Sequence, residues 1–137
     1  MRRSAARRAL ILTCSLAVMA GSLLAARPAL ALRQFRDEFY VLYLDEESTA
    51  EEDVAYVELV RGARCNLCHV GRNRKMRNVY GEALSELLDH DTDKENVEKI
   101  QEAIRAVAEL KSNPDDPESP TFGELIEQRK LPAPSDD

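Results

Sequence analysis

Apolar residues recur at three- and four-residue spacing through most of the chain, with charged residues between them. This spacing places the apolar side chains on one face of an α-helix. Three of these stretches begin with a capping-box pattern, a threonine followed three residues later by a glutamate. The predicted helices run over about 49–64, 79–88 and 93–111, with a shorter one from 121, and the capping residues are Thr49, Thr92 and Thr121.

Each of the three longer predicted helices has a set of apolar positions expected to face the core. These are Val54, Val57, Val60 and Ala63; Tyr80, Ala83, Leu84, Leu87 and Leu88; and Val97, Ile100, Ile104, Val107 and Leu110. Residues 32–47 carry aromatic residues at similar spacing, which indicates either another helix or an aromatic strap laid over the core. No stretch predicts a strand, and a polar, proline-containing linker over 113–120 precedes the last helix.

Residues 1–31 have the organisation of a secretory signal peptide. Arginines at positions 2, 3, 7 and 8 precede an apolar stretch over 9–20, and Ala29-Leu30-Ala31 matches an A-x-A cleavage site. We therefore predict a mature domain over 32–137, exported through the general secretion route. The alternative is a retained membrane anchor, but the apolar run is short for a span and is followed by Arg27 and Pro28.

Removal of the signal changes both the charge and the cysteine count. Of the 19 basic and 25 acidic residues, five arginines and no acidic residue lie in the signal, so the mature domain has a net charge of −11. Such a surface does not favour nucleic acid or anionic lipid as a partner. Cys14 also leaves with the signal, so only Cys65 and Cys68 remain and no structural disulfide is implied.

The two remaining cysteines belong to the sequence Cys65-Asn66-Leu67-Cys68-His69. This C-x-x-C-H order is the attachment pattern of c-type haem, in which two thiols form thioethers to the haem vinyl groups. The histidine directly after the second cysteine is then placed to bind the iron as the proximal ligand. The pattern predicts one covalently bound haem c.

A structural zinc site and a redox dithiol are two other interpretations of the cysteine pair. A structural zinc site needs four ligands, and beyond the cysteines the mature domain offers only His69 and His90 as histidines. A redox dithiol normally stands at the start of a helix after a strand, whereas this pair follows a predicted helix. Both readings are less favoured than haem attachment.

With its motif, its export signal and its helical pattern, the mature domain resembles the small single-haem c-type cytochromes of bacteria. The resemblance implies an all-α, cytochrome c-like fold of three to five helices packed around one haem. It makes Cys65 and Cys68 the covalent anchors and His69 the proximal iron ligand, with its other ring N–H donated to a backbone carbonyl. Such proteins are electron carriers rather than enzymes, and they exchange electrons with redox protein partners.

The chain departs from that family where the distal iron ligand is expected. Those cytochromes typically place a distal methionine far along the sequence, whereas the mature domain has one methionine, Met76, seven residues after His69. An extended loop of that length spans about 23 Å, which is enough to carry Met76 around the haem edge. His90 is the less favoured distal candidate, and an open sixth position is the third alternative.

A basic cluster, which consists of Arg72, Arg74, Lys75 and Arg77, follows the motif directly. Its members are candidates for contacts to the haem propionates, or for a positive collar at which a redox partner with acidic residues docks. A solvated loop is the simpler explanation. Asn78 and Tyr80 are weaker candidates for propionate contacts.

The sequence therefore predicts a periplasmic or otherwise exported electron-transfer protein that cycles one haem between ferric and ferrous iron. Two alternatives remain open at this point. One is a haem-based sensor or peroxidase-like protein with an open distal side. The other is a haem subunit of a larger redox complex, with the aromatic segment 35–44 as its contact surface.

Overall fold

The computed structural model describes residues 33–71 and 74–133. By its internal contacts the chain divides into two units, Met1–Leu30 and Ala31–Asp137, and every described residue belongs to the second. The predicted signal peptide and Arg72 of the basic cluster lie outside the described residues.

Helices provide nearly all the regular structure of the described ranges. They are α1 (Gln34–Tyr43), α2 (Glu51–Ala63), a 3-10 turn (Arg64–Leu67), α3 (Val79–Leu87), α4 (His90–Asp93), α5 (Val97–Ala108) and α6 (Phe122–Glu127). Within these ranges there is no strand, and the β-type pairings are two isolated bridges, His69–Arg77 and Lys111–Thr121. The all-α prediction is confirmed, although six helices are found where three to five were expected.

Helix α5 lies at the centre of the domain, because α1, α3 and α6 all pack against it. Its core face consists of Ile100, Ile104 and Val107, each fully buried. This periodic apolar face is the strongest in the sequence, so it can bury several neighbours at once. Across the described residues we find no helix with the length and apolar character that a membrane span requires.

Three aromatic rings from three different helices join around this centre. The ring centroids of Phe39 and Tyr80 are 6.0 Å apart, and those of Tyr80 and Phe122 are 5.2 Å apart, both in edge-on geometry. Such pairs contribute beyond the area that they bury. Residues 34–43 therefore form a helix that packs on the core, as one of the two sequence readings predicted.

Half of the fourteen predicted core positions are buried and three more are partly buried, but four are wrong. Val54, Leu87, Val97 and Leu110 are exposed. In α2 the core face is set by Tyr56 and Val60, which turns Val54 away from the core. Leu87 is the last residue of α3 and Val97 is the first of α5, and Leu110 lies two residues beyond the end of α5.

The capping box predicted at Thr49 is wrong, and the one at Thr121 is confirmed. Helix α2 begins after Ala50, and no side chain caps it. At α6, the Thr121 hydroxyl accepts a hydrogen bond from the Glu124 amide at 3.1 Å, and the Glu124 carboxylate accepts one from the Thr121 amide at 2.6 Å.

The helix start predicted at Thr92 is also wrong. Asn96 caps α5 instead, and its side chain accepts a hydrogen bond from the Lys99 amide at 3.1 Å. Thr92 lies in the one-turn helix α4, where the Asp89 carboxylate accepts hydrogen bonds from the amides of Asp91 and Thr92. This separate turn raises the helix count to six.

Asp93 ties the turn α4 to α5 and makes stability depend on pH. Hydrogen bonds from the Lys99 ammonium at 2.6 Å and the Asp89 amide at 2.8 Å hold the pKa of Asp93 below its ordinary value. A depressed folded-state pKa gives stability that is present above the unfolded-state value and is lost as pH falls through the folded-state value. Asp93→Asn should therefore destabilise the protein at pH 7, with a difference that shrinks below about pH 4.

Urea unfolding of wild type and Asp93→Asn across this pH range measures that difference. Asp91→Asn is the matched control, because the neighbouring Asp91 carboxylate is almost fully exposed. A gap between Asp93→Asn and wild type that stayed constant down to strongly acidic pH would show that the Asp93 charge does not stabilise the fold.

Candidate functional site

The Cys65–His69 motif lies on a tight turn that directly follows α2. Arg64 ends the helix with φ 51° and ψ −117°, a backbone conformation that non-glycine residues rarely adopt. The chain then curls into the 3-10 turn, and the amides of Cys68 and His69 both donate to the Cys65 carbonyl, at 3.3 and 3.0 Å. Leu67 is buried in the core and so anchors the turn to it.

The two thiols of this turn are not joined by a disulfide, and both cysteines are half-buried. Cys68 packs against the hydrophobic core. Burial, with a smaller contribution from Cys65, raises the pKa of the Cys68 thiol to about 12. The thiolate is the reactive form of a cysteine, so burial makes Cys68 itself a poor attacking thiol.

Asn78 holds the turn from the start of α3. Its side-chain NH₂ group donates to the carbonyls of Asn66 and Leu67, both at 3.1 Å, which are the two middle residues of the motif. Its side-chain oxygen accepts from the Gly81 amide at 2.9 Å and so caps α3. The backbone amide of Asn78 donates to the Cys68 carbonyl at 3.1 Å. One buried residue thus fixes the motif and begins a helix.

Gly81 allows α3 to lie directly on the motif. A Cβ atom at this position would lie 2.0 Å from the Cys68 carbonyl oxygen, which is a backbone atom that cannot rotate away. The absence of a side chain is therefore a condition for the contact between the first turn of α3 and Cys68.

His69 is oriented by the chain that returns to it after the loop. Its ring Nδ1 lies 3.3 Å from the Met76 carbonyl oxygen, and the Val70 amide donates to the same oxygen at 3.1 Å. A carbonyl only accepts, so Nδ1 carries the proton and Nε2 keeps its lone pair. The backbone carbonyl expected as the partner of the His69 ring is that of Met76.

The surroundings of His69 favour the neutral imidazole by lowering its pKa. Burial is the largest cause that lowers the pKa of His69, and the charges of Arg74 and Arg77 lower it further, against an opposing effect of the Met76 carbonyl. A neutral imidazole with a free Nε2 lone pair is the form that binds a metal.

The two distal candidates stand in different surroundings. The Met76 backbone is paired with His69 and Val70, so reaching the opposite side of a haem would require both hydrogen bonds to break. His90 is the first residue of α4, and its Nδ1 lies 3.1 Å from the Asp91 carboxylate. The structure therefore brings Met76, and not His90, to His69.

The basic cluster lies beside the motif, as far as it is described. Arg74, Lys75 and Arg77 are exposed. The Arg74 guanidinium makes a long hydrogen bond of 3.5 Å to the Asn66 side chain, and Arg77 forms a 4.0 Å ion pair with Glu82. These contacts leave a positive surface next to the motif, although the whole chain has a net charge of −6.

The two weaker propionate candidates differ in their hydrogen bonding. The side-chain groups of Asn78 are all used by the motif turn and the helix cap. Tyr80 is fully buried in the aromatic core, and its hydroxyl has no hydrogen-bond partner among the described residues. The positioning roles of Asn78 and Gly81 were missed, although an asparagine before a helix and a glycine within a helical pattern are both available signals.

Within residues 33–71 and 74–133, no three His, Cys, Asp or Glu side chains come together as a group that could hold a metal ion. Comparison of the chain with protein-family models, curated proteins and solved structures found no match. The residues of the motif and their surroundings are therefore the features that point to a function.

The role of the Asn78 amide group can be separated from ordinary helix capping. Aspartate caps helices as well as asparagine does, but Asn78→Asp replaces the NH₂ donor with an oxygen that faces two carbonyls. We expect a loss of about 1–3 kcal/mol for each buried polar group left unpaired, measured by urea unfolding.

The matched control is Asn96→Asp, because Asn96 caps α5 only by accepting a hydrogen bond. This variant should be as stable as wild type. Equal effects of the two substitutions would show that the hydrogen bonds to Asn66 and Leu67 contribute nothing.

The close approach at Gly81 gives an independent prediction. Gly81→Ala should destabilise the protein by about 1–3 kcal/mol or more, because backbone must move to admit the methyl group. Gly62→Ala in α2 should instead stabilise it by about 0.5–1 kcal/mol, since open space surrounds that position. Thermal unfolding of both variants tests the pair, and a neutral Gly81→Ala would contradict the contact.

Proposed function

We propose that the mature domain carries one covalent haem c, attached through Cys65 and Cys68, and works as an exported electron-transfer protein. The observation that carries the proposal is the five-residue motif in which two unpaired thiols precede a histidine with a free Nε2. A bound haem would supply a one-electron couple between ferric and ferrous iron.

The residues around the motif fit such a group. A thioether carries no charge, so the burial that disfavours the Cys68 thiolate does not penalise a thioether at the same atom. Attachment to the unfolded chain, before Cys68 is packed, also removes the need for this thiol to react from its buried position. The Met76 carbonyl fixes the tautomer of His69 that an iron ligand needs.

The exposed part of the basic cluster supports a role in docking. Arg74 and Arg77 stand next to the motif, whereas the mature domain as a whole has a net charge of −11. This asymmetry would orient the protein as it meets a redox partner with acidic residues at its docking surface. Contacts from the same side chains to haem propionates remain part of the proposal.

A role that depends on segment 35–44 as a contact surface is less well supported. Phe39 is buried, and Phe35, Tyr40, Tyr43 and Leu44 pack against the core. Only Val41 of this helix is strongly exposed, at 71%. The aromatic residues of this segment are therefore used within the domain, which favours a carrier over a complex subunit built on this surface.

Expression of the full chain in a host that attaches c-type haem tests the proposal. Purified wild type should keep its haem absorption after denaturation, because a covalent bond survives unfolding. The Cys65→Ser, Cys68→Ser double variant should lose it, and Cys14→Ser should not, since that residue belongs to the predicted signal. Denatured wild-type protein without haem absorption would refute the proposal.

A further inference from the structure

We infer that Met76 acts as a positioning residue for His69 and does not bind the iron, so that the second axial side is open to a small neutral ligand such as carbon monoxide or nitric oxide. This inference rests on the proposed function. It concerns whether a residue of this chain occupies the axial position opposite His69.

The segment that contains Met76 runs back along the motif as an antiparallel pair. The Val70 amide donates to the Met76 carbonyl at 3.1 Å, and the Asn78 amide donates to the Cys68 carbonyl at 3.1 Å. Between these two bonds lies the His69–Arg77 bridge. Met76 is therefore held beside His69 by backbone hydrogen bonds on both sides of the bridge.

The imidazole of His69 adds a third restraint, which fixes the edge of the imidazole ring next to which Met76 lies. The two ring nitrogens point in roughly opposite directions, so an atom hydrogen-bonded to Nδ1 lies away from an atom bound to Nε2. The Met76 carbonyl is bonded to Nδ1. If Nε2 binds the iron, the Met76 backbone lies behind the proximal histidine, on the side of that histidine away from the metal.

The Met76 side chain does not change this placement. A thioether on three single bonds cannot pass from behind the imidazole, around the macrocycle, to the far side of the iron. The side chain is 56% exposed. A methionine that served the distal side would need the whole pairing of 76–78 with 68–70 to be broken.

His90 is the other axial candidate that the sequence offers. Its side chain is 48% exposed and lies against the carboxylate of its neighbour Asp91. The turn α4 that carries it is fixed by Asp89 and Asp93, through contacts that do not involve the motif. We therefore assign the second axial side to an external ligand, with His90 ligation as an outcome of the test.

The test uses the haem-loaded full chain, with covalent attachment verified first, so that failure of the proposed function is recognised separately. The ferric protein should lack the sulfur-to-iron charge-transfer band, and the ferrous protein should bind carbon monoxide. Met76→Leu keeps the backbone carbonyl and an apolar side chain of similar volume but removes the sulfur. Its ferric spectrum, reduction potential and carbon monoxide binding should equal those of wild type.

His90→Ala is the matched variant at the other candidate and should also leave these spectra unchanged. A sulfur-to-iron band that Met76→Leu abolishes would overturn the inference while leaving the carrier function intact. A low-spin protein that reacts with carbon monoxide only after His90→Ala would overturn it equally.

Discussion

The contact between the first turn of α3 and the motif turn is the constraint on which the rest of the site depends. Asn78 satisfies the carbonyls of Asn66 and Leu67 with one side chain, and Gly81 lets the Cys68 carbonyl approach the helix. Buried carbonyls without such partners would cost about as much as whole hydrogen bonds. The turn that carries both thiols is thus specified by residues more than ten positions away.

This contact also couples the site to the core. Helix α3 packs on α5 through Tyr80 and Leu84, and the Tyr80 ring meets Phe39 and Phe122. Because Asn78 both caps α3 and holds the motif, the start of the helix and the conformation of the turn depend on the same side chain. The return segment 76–78 then delivers a carbonyl to the His69 ring, which gives the imidazole one tautomer and one direction. The orientation of the His69 ring is thus set by a backbone carbonyl, so side-chain changes in the exposed loop should leave that orientation in place.

Sequence reasoning succeeded where a signal was local and failed where it depended on which groups meet. The bounds of α3 and the apolar face of α5 could be predicted because periodicity records them directly. The cap predicted at Thr92 was wrong because Asn96 takes that role at α5, and the cap predicted at Thr49 was wrong because α2 begins after Ala50 without a side-chain cap. The length of the loop left the position of Met76 open, and the chain folds back so that 76–78 pair with 68–70, which the sequence pattern alone does not reveal. In the same way, an asparagine before a helix is a signal for a cap, but the sequence does not show that the Asn78 side chain also donates hydrogen bonds to two backbone carbonyls.

We propose that a haem is bound covalently to Cys65 and Cys68 through two thioether bonds. Fragment-ion mass spectrometry of the exported protein, read over the peptide that contains residues 65–69, tests it most directly. We predict a single adduct of one haem that is localised to both cysteines, on a polypeptide that begins at Leu32. A peptide with two unmodified thiols, isolated from a host that loads haem onto a control cytochrome, would contradict the account.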